Sequence, residues 1–92
     1  MSNTIYMKTK KLNGYSNIVG ANIQKYREQK GISQVELSNK LALLGVTLYH
    51  SDISRIEANT LFIRDFEQKA ICDILGITYN QLFENTSKYF ES

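Results

Sequence analysis

The stretch from Ser33 to Asn59, SQVELSNKLALLGVTLYHSDISRIEAN, constrains the fold more than any other part of the chain. Ser33 is followed three residues later by Glu36, the spacing at which a serine hydroxyl and a glutamate carboxylate satisfy each other's orphan backbone N–H groups at a helix start. A helix is therefore predicted from about Gln34. Leu37, Leu41 and Leu44 recur at i, i+4 and i+7 and share one face, a core face, while Glu36, Asn39 and Lys40 fall elsewhere. Gly45, just past the last of these leucines, supplies the positive φ at which a helix ends.

A second, shorter helix follows the turn. Ile53 and Ile56 set its buried direction, and at ~100° per residue Ser51, Arg55 and Ala58 point away from it, with Asp52 and Ser54 beside them. This exposed face is small and polar around one arginine, so it has room to enter a groove. Glu57 falls only about 70° from the buried direction. Its carboxylate is thus at least partly covered, and a covered carboxylate needs a partner.

SQVEL, LLGV and SDISRIE, with Asn59 at the usual glycine position, resemble the phage-repressor and Cro-like helix-turn-helix family, also called XRE. VGANIQKYREQKGIS, from Val19 to Ser33, is similar to the family's first helix, and RDFEQKAICDILGITYNQLFE, from Arg64 to Glu84, to its fourth and fifth; about two thirds of the chain is covered. The connection from Gly45 to Ile53 is longer than in the commonest members, as in a longer-turn subset. Tyr49 stands where a Ser or Thr cap is usual. The resemblance implies an all-α, five-helix repressor-like helix-turn-helix DNA-binding domain with its third helix in the major groove of double-stranded DNA. The implied function is sequence-specific transcriptional regulation, in the first place repression. On that reading His50, Ser51 and Arg55 contact bases, and Gln34, Lys40 and Ser54 contact phosphates. The family's arginine at the position of Arg27 pairs with the glutamate ending the third helix, here Glu57, which makes Arg27 and Glu57 a structural ion pair. A homodimer is expected as well, because one such helix covers few base pairs and symmetric dimers set half-sites ~34 Å apart or a multiple of that.

Gln34, His50 and Asp52 also carry readings of their own. Gln34 opens the second helix, where N–H groups are free and the dipole is positive, so a phosphate fits there; the alternative is a solvated glutamine within a capping box. His50, near the start of the third helix, either bonds a base edge or phosphate or serves as a turn residue. Asp52 sits in a first turn, where a carboxylate favours the helix dipole; accepting from a cytosine amino group is the lesser alternative.

Ninety-two residues without a repeat or Pro/Gly-rich linker make one small domain. Residues 1–15, rich in lysine and closing in an Asn-Gly turn signal, read as a mobile N-terminal arm, residues 16–86 as the domain and 87–92 as a tail. The arm is a simple disordered end, a strand that pairs with a partner, or a basic segment lying along DNA backbone or in a minor groove. Ser16 or Asn17 is placed to cap the first helix, Val19, Ile23 and Tyr26 form its apolar stripe, and Gly31 stops it. Asp65 with Gln68 and Thr78 with Gln81 have the spacing of capping boxes that open the fourth and fifth helices. Phe66, Ala70, Ile71, Ile74 and Leu75 then fill one core face and Ile77, Leu82 and Phe83 another. Tyr89 and Phe90 are the excess aromatics, a candidate dimer surface together with the fifth helix.

The net charge of +2 hides a division: residues 1–64 carry nine Lys/Arg against four Asp/Glu and residues 65–92 two against five, +5 and −3. The positive part contains the helix pair, as a phosphate-facing surface requires. Cys72 is the only cysteine, which excludes an internal disulfide and a cysteine-rich zinc site, and it reads as a small buried hydrophobe. His50, the lone histidine, has no second ligand at metal spacing. No run of ~18 apolar residues and no secretory pattern are present, so no membrane association and a cytoplasmic location are expected. The sequence has no Gly-rich phosphate loop and no nucleophile–base pair, so an enzyme, catalytic residues and any metal or small-molecule cofactor are not expected. A competing reading of a different class is a protein-interaction module, such as an antitoxin-like or anti-repressor partner.

Overall fold

A computed structural model describes residues 10–91 of the chain and carries five α-helices among them: α1 (Gly20–Lys30), α2 (Gln34–Leu43), α3 (His50–Glu57), α4 (Asp65–Leu75) and α5 (Tyr79–Leu82). A 3-10 turn, Ser87–Phe90, follows. The fold is all-α. Within it α3 packs against α1 and α2, α4 against the same two helices, and α5 against α1. The core draws on every helix, with Val19 from the turn into α1, Ile23 from α1, Leu37 and Leu41 from α2, Ile53 and Ile56 from α3, Ile71 and Leu75 from α4, and Leu82 from α5 all buried. At ~1.5–3 kcal/mol for each aliphatic side chain withdrawn from water, this cluster is the main source of stability.

The capping box predicted for α2 is present. The Ser33 hydroxyl accepts from the Glu36 N–H at 3.0 Å, and the Glu36 carboxylate accepts from the Ser33 N–H at 2.9 Å. Ser33→Ala is expected to lower stability by ~1 kcal/mol, read as a shift of the urea midpoint at constant slope; an unmoved midpoint would show that the box contributes nothing. Thr78 and Gln81 make the third predicted box, but the helix it opens, α5, is a single turn.

Four expectations are corrected. At α4 only the carboxylate half of a box forms, one residue earlier than Asp65 and Gln68: the Arg64 N–H donates to Glu67 at 2.8 Å and the Arg64 guanidinium to the same carboxylate at 3.3 Å. With two donors the carboxylate tolerates burial, so α4 turns Glu67 inward and leaves Phe66 56% exposed. Leu44 is exposed too, because α2 ends at Leu43 and the chain turns at Gly45, φ 80°, and Leu48 enters the core from the turn instead. Phe83, just past the end of α5, is likewise exposed and not a core residue.

The start of α1 is the third helix's anchor. Asn17 Oδ1 accepts from the N–H groups of Val19 and Gly20 at 2.9 and 2.8 Å, so Asn17 caps as expected although the helix proper begins three residues on. Its amide also donates to the carbonyls of Ile56 and Leu61 at 3.0 and 2.8 Å. Asn59, left-handed at φ 65°, donates back to the Asn17 carbonyl at 2.9 Å. This buried node joins the N-terminus of α1 to the C-terminus of α3, and Gly20 lets the two backbones meet.

Residues 1–9 of the expected mobile arm lie outside the described residues. In the described remainder, the turn at Asn13 and Gly14 closes a bridge between Leu12 and Tyr15. The Asn13 amide donates to the Tyr89 carbonyl at 3.0 Å, and the Tyr15 ring meets the Tyr89 ring edge-on at 4.8 Å. That part of the arm is therefore fastened to the tail, and of the two tail aromatics Tyr89 is half-covered while Phe90 stays exposed.

Candidate nucleic-acid interface

α2 and α3 are joined by residues 44–49, and the turn is held from within. The Ser38 hydroxyl on α2 donates to the Leu48 carbonyl at 2.6 Å, a contact no sequence spacing announces. At the start of α3 the Tyr49 N–H donates to the Asp52 carboxylate at 3.0 Å. Only this half of a capping box forms, since a phenol at position 49 makes no cap bond of its own. Asp52 is thereby occupied at the helix start, in keeping with its dipole reading.

The outward side of α3 presents His50, Ser51, Ser54, Arg55 and Ala58, all exposed. His50 to Arg55 spans roughly 7.5 Å of helix axis at 1.5 Å per residue. Arg55 is paired with no carboxylate among the described residues. Other cations of the positive portion are compensated internally: Lys25 by Glu84, Arg27 by Glu57 and Arg64 by Glu67. Lys10, Lys11, Lys30 and Lys40 are exposed and outside these pairs. Glu84 also accepts from the Tyr26 hydroxyl at 2.6 Å. Lys25 first, and then Tyr26, hold its carboxyl below the usual range.

The inward side of α3 is fixed by Arg27. Its Nε donates to Glu57 Oε2 at 2.6 Å and its Nη2 to Oε1 at 3.0 Å, a bidentate pair in which both residues are buried. Nη1 donates to the Ile32 carbonyl at 2.8 Å. The hydrogen bonding of Glu57 raises the Arg27 pKa above its ordinary value, against the opposing effect of burial. Both members of the implied ion pair are thus found together.

Gln34 joins the same group, which sequence reasoning missed. Its Nε2 donates to Glu57 Oε1 at 2.9 Å, across 23 residues of chain, and the side chain is half-buried. Lys40, six positions further along α2, lies about 120° around the helix from Gln34, so the two do not share a face. Ser51 and Arg55 therefore share one face of α3, His50 lies about 140° around the helix from Arg55, and Gln34 and Lys40 border that face separately.

Among the described residues no cluster of His, Cys, Asp or Glu is arranged to hold a metal ion, and no helix is long and apolar enough to cross a membrane. Cys72 is buried in the core, and burial pushes its thiol pKa up, which disfavours the reactive thiolate. Comparisons of the chain with models of known families, with curated proteins and with solved structures found no match.

Proposed function

We propose that the chain is a repressor-like helix-turn-helix protein: a cytoplasmic, sequence-specific regulator of transcription that binds double-stranded DNA as a homodimer, with α3 in the major groove. One observation carries this reading. Among the described residues the Arg55 guanidinium is exposed and paired with no carboxylate, on an outward face whose other members are small or polar. Such a face enters a groove without collision, and an arginine there pairs in bidentate fashion with a guanine edge. Ser51 lies on the same face as a further base contact and His50 at its edge, where α3 begins, is another, with Ser54, Gln34 and Lys40 on flanking phosphates. No catalytic step and no cofactor belong to this proposal.

Selection of bound duplexes from a random pool tests it, with enrichment of a palindrome as the expected outcome. Arg55→Ala is expected to leave folding within about 0.5 kcal/mol of the parent, because its side chain packs into no core. It should cost ~1–3 kcal/mol of discrimination at one base position of the selected site. Affinity is also expected to fall steeply with salt, since exposed lysines must displace counterions. If no duplex is retained at low salt, the protein-interaction reading becomes the better account. That alternative draws on Leu43, Leu44 and Tyr49, which stand exposed around the end of α2 and the turn, beside a shallow cavity lined by Ala42, Val46 and Tyr49.

A further inference from the structure

We infer that Glu57 is a positioning residue for phosphate recognition, setting the orientation of the Gln34 amide at the start of α2. This rests on the DNA-binding reading and deepens it. A primary amide has one hydrogen-bonding edge that donates and one that accepts, and in isolation it flips between them. A carboxylate only accepts. The 2.9 Å contact from Gln34 Nε2 to Glu57 Oε1 therefore admits one orientation of the amide, with nitrogen toward Glu57.

The second N–H of that nitrogen remains for an acceptor outside. The start of α2 also leaves the Gln34 and Val35 backbone N–H groups without intrahelical partners, the Glu36 N–H being taken by Ser33. Such a grouping of donors at a helix start suits a phosphate oxygen. A bare carboxylate behind it would repel the phosphate, but Glu57 is neutralised by the two bonds from Arg27 and is 97% withdrawn from solvent, its side chain being 3% exposed. Arg27 thus cancels the charge and Glu57 fixes the direction, so the end of α3 and the start of α2 are set against the DNA backbone as one unit.

The test uses a duplex selected as above, with methylphosphonate placed at one phosphate at a time to remove its charge. For the full chain, replacement at the phosphate facing the start of α2 should weaken binding about tenfold, the lower end for a hydrogen bond to a charged group. Gln34→Ala should bind the unmodified duplex more weakly and lose that sensitivity. Glu57→Gln, whose amide accepts either orientation of Gln34, should lose it too. Glu57→Asp keeps the charge beside Arg27 and withdraws the acceptor by one methylene, so it gives the same readout should Glu57→Gln fail to fold. Base preference should be unchanged in all three. Glu57 variants that fold and keep the full methylphosphonate effect overturn the inference while leaving DNA binding intact. A wild-type chain that retains no duplex overturns the functional reading and this inference with it.

Discussion

Gly20→Ala is expected to unfold most of the domain near its present melting temperature. A Cβ at this position would stand 1.9 Å from the Ile56 carbonyl oxygen, 2.9 Å from its carbon and 3.1 Å from the Glu57 Cα, all backbone atoms at the end of α3. No rotamer change relieves a backbone clash, so α1 and α3 must separate. That separation pulls on the Asn17 node and on the Arg27–Glu57 pair, both of which span the same two helices. Overpacking by one methyl costs ~1–3 kcal/mol where side chains can yield, and more where they cannot. A loss above about 3 kcal/mol in a domain of this size lowers the melting temperature by more than about 12 °C. The usual helix-propensity gain from glycine to alanine, ~1 kcal/mol, is too small to offset it. Ala21→Gly is the control, since Ala21 is exposed on the same helix and should cost about 1 kcal/mol at most. Thermal melts followed by circular dichroism decide the matter; Gly20→Ala melting within a few degrees of the parent would mean that the two helices do not approach this closely.

The role of Gly20 is absent from the sequence for a physical reason: it depends on the distance between two helices, which no local spacing encodes. Contacts within one turn were legible. Ser33 with Glu36 and Thr78 with Gln81 could be paired because both partners lie three residues apart. The same rule misplaced the start of α4, since the acceptor side of a box serves any backbone N–H, and Arg64 supplied one without having a capping side chain. Periodicity found Ile53 and Ile56 and the outward set around Arg55, but failed at helix ends, where Leu44 and Phe83 leave the regular phase. The Asn17 node joins residues 39 to 44 positions apart, so sequence offered only its pieces, a candidate cap and a residue tolerant of φ above zero. The Glu57 partner was supplied by resemblance and not by spacing. Gln34 as a third member of that group had no signal at all, because a glutamine at the start of a helix looks the same whether it faces solvent or a carboxylate.

Arg27 and Arg55 are equal in any count of charge and opposite in environment, and replacing them should separate folding from recognition. Arg27→Ala leaves the Glu57 carboxylate buried with only the Gln34 amide to satisfy it. Removing one partner of a buried pair costs about 3–5 kcal/mol, against about 0.5 kcal/mol or less for an exposed residue such as Arg55. A cycle of Arg27→Ala with Glu57→Gln should show a coupling above ~1 kcal/mol in stability, because the second change removes the stranded charge. Arg55→Ala with Glu57→Gln should be additive within ~0.5 kcal/mol, Arg55 making no bond to that carboxylate. Urea titrations of the single and double variants supply every term. If Arg27→Ala proves as mild as Arg55→Ala, the bidentate pair is not what holds α3 against α1, and the Asn17 node together with the buried Ile53 and Ile56 must do so.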